Sequence, residues 1–141
     1  MPKTMNYLGI ARKSGNIELG EENVKTLVKA GKARLVLLAR DASEGVTQRV
    51  GGYVFGFHAP VVTLPYTKTE LGGALGRAQC AVCALRDLGL ARSLAEALAA
   101  EHGEAYAGAA EALGKTQARI TARKTARGSK TGKRRKRNEQ L

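Results

Sequence analysis

The sequence has no tryptophan, and phenylalanine and tyrosine account for only 4% of its residues. A sheet that stacks nucleotide bases on several aromatic side chains therefore has few residues from which to be built. No stretch approaches the roughly 20 consecutive apolar residues that a membrane-spanning helix needs. Residues 1–15 mix polar and charged side chains with apolar ones and lack the apolar core of a signal peptide. We therefore expect a cytoplasmic protein with no membrane partner.

Cysteine is also scarce, since the chain has only Cys80 and Cys83. Without an export signal, two thiols do not indicate a disulfide framework, and we expect both to be reduced. Their Cys-x-x-Cys spacing occurs in zinc and redox sites, but no second pair accompanies it. A strand at this point would also send positions i and i+3 to opposite faces. We therefore predict two small buried side chains and no metal site.

Residue types that carry out catalysis are few. The only histidines are His58 and His102, and neither has a serine or cysteine nearby in a recognisable nucleophile context. Glu21 and Glu22 stand at a predicted helix start, where the helix dipole favours acids. Residues 72–77 resemble a phosphate-binding loop only loosely, because the Gly-Lys-Ser/Thr ending is absent. We predict no catalytic residue, no enzymatic activity and no cofactor.

Positive charge is abundant but unevenly distributed. The chain has 24 Lys and Arg against 12 Asp and Glu, a net charge of +12. From Lys115 onward there are 11 Lys and Arg and one acid, Glu139, so this segment has a net charge of +10. The first 114 residues are left with +2. Most of the basic character therefore belongs to a C-terminal arm, which points to a polyanionic partner.

The first hundred residues alternate between helical and strand spacing of their apolar residues. Strands are predicted at 17–19, 35–39, 61–64 and 80–85. Helices are predicted at 4–13 and 21–30, from Ser43 to a stripe ending at Phe57, from the capping box Thr67–Glu70 to Gly76, and around Leu90, Leu94 and Leu98. This order predicts an α/β fold, a three-layer α/β/α sandwich whose small mixed sheet is mostly parallel and covered by helices on both faces.

The chain is predicted to divide after Gly103. Residues 1–103 form the α/β/α domain, and residues 104–141 form a tail rich in Ala, Gly, Thr, Lys and Arg. Residues 105–112 are predicted to be weakly helical. From Lys115 onward no apolar pattern indicates a core, so we predict disorder there.

Two basic elements can bind phosphates. One is a tail pentad, which neutralises phosphates without needing order; it consists of Lys133, Arg134, Arg135, Lys136 and Arg137. The other follows the second helix, where Lys25 and Lys29 are neighbours on one face and Lys32 comes just after. Together with the helix N-terminus after Gly20, these lysines predict a face for a polyanion.

Several motifs in order resemble one family. Gly20 opening a helix, the run Gly31-Lys-Ala-Arg-Leu-Val-Leu-Leu-Ala-Arg-Asp-Ala-Ser43, and the run Thr67-Lys-Thr-Glu-Leu-Gly-Gly-Ala-Leu-Gly-Arg77 resemble the kink-turn RNA-binding ribosomal proteins of the L7Ae type, in particular their small bacterial branch. The resemblance covers roughly residues 5–100. It implies an α/β/α sandwich, no catalysis, and binding to structured RNA.

The resemblance also implies where RNA binds. In that family the site is built from the start of the second helix, usually Gly-x-Asn-Glu-x-x-Lys, and the loop before the last strand. Gly20 matches, whereas Glu22, Asn23 and Thr26 stand where Asn, Glu and Lys are usual. Asn23 and the neighbouring Lys25 keep polar and cationic groups at the helix start. The loop, residues 76–79, adds Arg77, whose guanidinium group can donate paired hydrogen bonds to a phosphate or a guanine.

These observations lead to one main interpretation and two alternatives. The main one is a non-catalytic RNA-binding protein, associated with the ribosome or with translation, whose sandwich docks structured RNA, ribosomal RNA foremost, while the tail binds phosphates. It is expected to be a monomer when free and to join a ribosome or other ribonucleoprotein. The alternatives are a protein-interaction or assembly module with a non-specific nucleic-acid-binding tail, and non-specific DNA packing by the arm.

Overall fold

A computed structural model describes residues 3–57, 59–103 and 106–134, with side chains described up to residue 122. The helices are α1 (Lys3–Ser14), α2 (Glu21–Lys29), α3 (Glu44–Val54), α4 (Lys68–Leu75), α5 (Leu88–His102) and α6 (Ala107–Arg134). The strands are β1 (Ile17–Leu19), β2 (Leu35–Leu38), β3 (Val61–Thr63) and β4 (Val82–Leu85). None of the helices in the described ranges is long and apolar enough to cross a membrane.

The four strands form one mixed sheet in the order β1-β4-β2-β3. β2 and β3 are parallel, with Leu37 beside Val62, whereas β4 is antiparallel to both β1 and β2. All residues of β2 and β4 are buried, because helices cover both faces of these central strands. Because of these strand directions, the ends of β1, β2 and β3 and the start of β4 lie together at one end of the sheet, which we call the interface edge.

The core is divided by the sheet into two apolar clusters. On one face, Leu37 and Leu85 pack with residues from α1, α4 and α5, such as Leu8, Leu71 and Leu94. On the other face, Val24, Leu27 and Val28 of α2 and Val50 of α3 pack against Val36 and Ala84. The predicted three-layer α/β/α sandwich with a small mixed sheet is confirmed. The expectation that this sheet is mostly parallel is wrong, because β4 runs antiparallel to both of its neighbours and only β2 and β3 are parallel.

Local signals place the helix starts as the sequence predicts. The Ser43 hydroxyl accepts a hydrogen bond from the Val46 N–H at 3.2 Å. Thr67 and Glu70 form the predicted capping box, each side chain accepting a hydrogen bond from the other residue's backbone N–H. A separate backbone hydrogen bond, from the Cys80 N–H to the Lys68 carbonyl at 3.0 Å, joins the α4 start to the segment that precedes β4.

The third helix ends earlier than its apolar stripe predicts. The prediction of a stripe continuing to Phe57 is wrong, because α3 ends at Val54 and Gly56 adopts a φ of +88°. That backbone conformation favours glycine and cannot continue a right-handed helix. Phe55 and Phe57 consequently lie exposed at the surface.

The tail differs most from the sequence prediction. Helix α6 continues past Lys115 to Arg134, where the sequence predicts disorder. Its first half packs on the domain, since Ala109, Leu113 and Thr116 are buried. The spacing of these three residues, four and then three, places them on one helix face. The division after Gly103 remains a prediction, and residues 135–141 lie outside the described ranges.

The first turn of α1 is tied to the end of α5. The Glu101 carboxylate accepts hydrogen bonds from the Lys3 backbone N–H at 2.7 Å and from the Thr4 hydroxyl at 2.8 Å. These donors, the Thr4 hydroxyl foremost, lower the pKa of Glu101. Since the charged carboxylate is favoured in the folded state, its contribution is present at neutral pH and disappears as pH falls through the lowered pKa.

We expect Glu101→Gln to destabilise the protein at pH 7 and to have a smaller effect at pH 3. The measurement is the free energy of urea unfolding of both proteins across this range. Glu96→Gln, on the same helix, controls for the loss of one negative charge. An equal difference between Glu101→Gln and the parent at pH 7 and pH 3 would contradict the assignment.

Candidate nucleic-acid interface

Backbone hydrogen bonds join the start of α2 to the start of β4. The Gly20 N–H donates to the Val82 carbonyl at 3.0 Å. The Cys80 N–H donates to the Lys68 carbonyl at 3.0 Å, and the Ala39 N–H donates to the Ala81 carbonyl at 2.9 Å. The two predicted parts of the RNA site, the α2 start and the loop before β4, are therefore neighbours at the same sheet edge.

The α2 start is partly exposed and offers hydrogen-bond donors. Gly20 has φ 90° and ψ 151° and no side chain to cap the helix. The positive end of the helix dipole and the first backbone N–H groups therefore meet the surface there. The exposed Asn23 donates from its amide nitrogen to the Leu19 carbonyl at 2.9 Å. This bond fixes the side chain while leaving its oxygen and one amide hydrogen for a ligand. Glu22 is exposed on the same turn.

The loop before β4 is held against helix α4. Gly76 ends α4 in the left-handed conformation, with φ 76° and ψ 27°. The Arg77 N–H then donates to the Gly72 carbonyl at 2.8 Å. A Cβ atom at Gly72 would lie 2.8 Å from the Arg77 carbonyl oxygen and from the backbone of Gln79. The loop therefore packs directly on the backbone of α4 at Gly72, and the side chains of residues 77–79 are exposed.

Two further cations lie near this edge that sequence analysis missed. The exposed Arg40 follows β2, and its backbone N–H donates to the Tyr66 carbonyl at 2.8 Å. Lys68 opens α4, and its backbone N–H donates to an Asp41 carboxylate oxygen at 2.8 Å. Arg40 follows directly after a buried strand that ends at this edge, and that position is the signal that could have identified it.

Other predicted residues lie elsewhere. Lys25 faces α3, in a groove that it shares with Glu21 and Arg49. Lys32 follows the opposite end of α2, a helix of nine residues that is about 13 Å long at 1.5 Å per residue. It lines a groove along α2 that also includes Asn23. Lys133 and Arg134 belong to the last turn of α6. Arg135, Lys136 and Arg137 lie outside the described residues.

The groove between α2 and α3 is less cationic than its lysines suggest. Arg49 donates to both carboxylate oxygens of Glu21, at 2.7 and 3.0 Å, and this pair lowers the pKa of Glu21. Beside it, burial raises the pKa of Tyr53 to about 12. The Tyr53 hydroxyl is buried and has no hydrogen-bond partner within the described residues. Because Arg49 is neutralised, Lys25 and Lys29 remain the main cations of this groove.

The two cysteines lie on the same side of the sheet, so the predicted placement on opposite faces is wrong. Strand β4 begins only at Val82, and the chain bends at Ala81, which shifts the alternation by one position. Both thiols are buried in the same apolar cluster. The Cys83 thiol beside Cys80 lowers the pKa of Cys80 to about 7, while this contact and burial raise the pKa of Cys83. Within the described ranges, no group of three or more His, Cys, Asp and Glu residues could hold a metal ion.

The fold and this edge define a class of protein, a small α/β/α sandwich that presents a helix start and an adjacent loop on one rim. A family model described as the ribosomal protein L7Ae/L30e/S12e/Gadd45 family matches residues 3–95. The chain belongs to this family.

Individual relatives agree with this assignment. The chain is 29% identical over 75 residues to a protein from Enterococcus faecium named RNA-binding protein YlxQ. The aligned region covers 53% of this chain and 72% of the relative. A solved structure of a Bacillus halodurans protein of unknown function matches with a TM-score of 0.65 and 28% identity, covering 70% of this chain and 98% of the other. A Giardia lamblia 15.5kD RNA binding protein matches with a TM-score of 0.58 at 22% identity, covering 77% and 85%, and shows the shared fold.

Proposed function

We propose that this chain is a non-catalytic RNA-binding protein of the translation machinery. The observation that carries the proposal is the hydrogen bond from the Gly20 N–H to the Val82 carbonyl, which holds the α2 start beside the first residue of β4, close to the loop that precedes this strand. Membership of the L7Ae/L30e/S12e/Gadd45 family and the relative named as RNA-binding support it. In this proposal the protein is a cytoplasmic monomer that joins a ribonucleoprotein, with ribosomal RNA as its structured ligand.

Each part of the interface has a chemical role. The uncapped N–H groups after Gly20 bind a phosphate, since a helix N-terminus is a site for anions. Asn23 presents an amide oxygen and hydrogen to a base edge. Arg77 supplies a planar fork of donors for a phosphate or a guanine, and Arg40 and Lys68 add positive charge around it.

Helix α6 and the residues after it provide affinity without shape recognition. Nine of the chain's Lys and Arg lie between Arg123 and Arg137. Such a run neutralises phosphates of any RNA, and its effect weakens as salt rises. Discrimination between RNA shapes must therefore come from the rigid interface, where few charges are held at fixed spacing.

The test compares three proteins in binding a structured ribosomal RNA fragment and a scrambled control across a salt series. Removal of residues 123–141 keeps the buried α6 residues Ala109, Leu113 and Thr116 and should weaken binding to both RNAs. The slope of log affinity against log salt should fall by roughly 0.7–0.9 for each phosphate that the protein no longer neutralises. Asn23→Ala with Arg77→Ala should change this slope by about one unit at most. The double variant should also reduce the difference in affinity between the structured RNA and the scrambled control.

The matched control is Asn6→Ala with Lys13→Ala, which removes an exposed amide and an exposed cation from α1. This control should leave the difference in affinity between the two RNAs unchanged. If the Asn23/Arg77 variant discriminates as well as the parent, the assigned interface is wrong, and the assembly-module alternative with a non-specific tail is favoured.

A further inference from the structure

A cleft of about 320 Å³ lies at the other end of the sheet from the candidate interface, where β2 and β3 begin. It forms where the turn after α2, the loop between α3 and β3, and the middle of α6 meet, and its walls include Arg34, Phe57 and Arg119. The Arg34 N–H donates to the Leu85 carbonyl at 2.8 Å, which fixes this wall at the end of β4. The volume is within the range of small ligand sites.

Exposed apolar side chains concentrate beside this cleft. The large apolar residues that are exposed in the described ranges are Ile10, Phe55, Phe57 and Val61, and the last three lie within seven residues of one another. Phe55 is 86% exposed and Phe57 is 41% exposed. Both phenylalanines of the chain therefore lie at the surface, and neither belongs to the two core clusters. An exposed aromatic pair at one place marks an interaction surface.

The charges around the cleft are of one sign. No Asp or Glu lines it, and among the described residues neither Arg34 nor Arg119 forms an ion pair. The Arg119 guanidinium donates to the Thr116 hydroxyl at 3.2 Å, which orients it. The two cations that line the cleft thus fit an anionic ligand.

We propose that this cleft binds single-stranded nucleic acid, with a base packed on Phe57 and the flanking phosphates on Arg34 and Arg119. Exposed aromatic rings next to arginines are the means by which proteins hold unpaired bases and their backbone. The site uses none of Gly20, Asn23 or Arg77, so it is independent of the interface at the other edge. A protein with both sites holds a structured RNA and an unpaired strand at opposite ends of one sheet.

The absence of tryptophan makes a local test available. Phe57→Trp introduces the chain's single tryptophan into the cleft of the full-length protein, and its indole can be excited selectively over the four tyrosines. A ten-nucleotide oligouridylate is the probe. Stacking of a uracil on the indole should quench its fluorescence in a saturable manner. Ile10→Trp, at an exposed position of α1, is the control and should show no saturable quenching.

Charge dependence is tested in the Phe57→Trp protein. Arg34→Gln with Arg119→Gln should raise the Kd for the oligouridylate about tenfold or more, since two charge-assisted hydrogen bonds to phosphate are removed. Lys3→Gln with Lys13→Gln removes the same number of charges from exposed α1 positions and should raise the Kd for the oligouridylate far less. Anisotropy of labelled oligouridylate with Phe57→Leu gives a second measurement, in which affinity should fall although an apolar side chain remains.

The outcomes separate this site from the interface at the other edge. Adding Asn23→Ala and Arg77→Ala to Phe57→Trp should leave the quenching intact, whether or not those two residues bind structured RNA. The proposal is overturned if no saturable quenching occurs, if the two arginine replacements have no more effect than the lysine control, or if an oligoglutamate peptide quenches equally well. The last result would identify an acidic protein segment as the ligand.

Discussion

Gly72→Ala should unfold at a markedly lower urea concentration than the parent and bind structured RNA more weakly. The new Cβ would lie 2.8 Å from backbone atoms of Arg77 and Gln79, which cannot rotate away as the end of a side chain can. Either α4 or the loop before β4 must shift, and overpacking of this kind costs about 1–3 kcal/mol. Because the loop carries Arg77, the shift should also disturb the proposed RNA interface.

Gly73→Ala is the matched control, one residue along the same helix. Nothing lies within 4 Å of a Cβ at Gly73, and its position is exposed. Alanine favours a helix over glycine by about 0.5–1 kcal/mol, so this variant should be slightly more stable than the parent. Urea unfolding and RNA affinity of both variants check the prediction. If Gly72→Ala matched Gly73→Ala in both measurements, the close packing of the loop would be disproved.

Leu113→Ala should destabilise the protein by about 2–4 kcal/mol, although Leu113 lies beyond the predicted domain boundary. Its side chain is fully buried in the cluster that contains Leu94 and Leu98 of α5. Truncation to alanine removes apolar packing and leaves a cavity that the surrounding helices fill only in part.

Two controls locate the effect in the packed part of α6. Lys115→Ala replaces an exposed side chain and should change stability by no more than about 0.5 kcal/mol. Removal of residues 123–141 should leave the urea transition close to that of the parent, because this removal keeps Ala109, Leu113 and Thr116, the buried α6 positions among the residues whose side chains are described. A Leu113→Ala protein as stable as the Lys115→Ala protein would show that α6 does not belong to the core.

The sequence predicts elements well where the signal is local. The capping box at Thr67–Glu70 and the N-cap at Ser43 depend on residues three positions apart, and both are present. The apolar face of Val24, Leu27 and Val28 is a repeat within a single helix, and it packs as the repeat predicts. Such patterns need no knowledge of the partner surface.

Sequence predictions fail where a distant contact or a single bend decides the outcome. Helix α6 has a sparse apolar face, and its burial depends on α5, which no local pattern reveals. The bend at Ala81 inverts the alternation from which opposite faces are predicted for Cys80 and Cys83. In the candidate interface, Gly20 can be identified from its place before a helix. Arg40 can be placed after a buried strand from the sequence, but that this strand lies next to β4 depends on the strand order, which tertiary structure fixes.

The position of α6 also bears on how the protein behaves in concentrated solution. Strand β3 is an edge of the sheet, and edge strands offer unpaired N–H and C=O groups to the sheets of other molecules. The start of α6 lies along it, since Tyr106, Gly108 and Ala109 line one cleft together with residues 60–63. Helix α6 thus obstructs the approach of a second sheet. A chain shortened after Gly103 would lose this barrier, and self-association would then accompany any loss of stability.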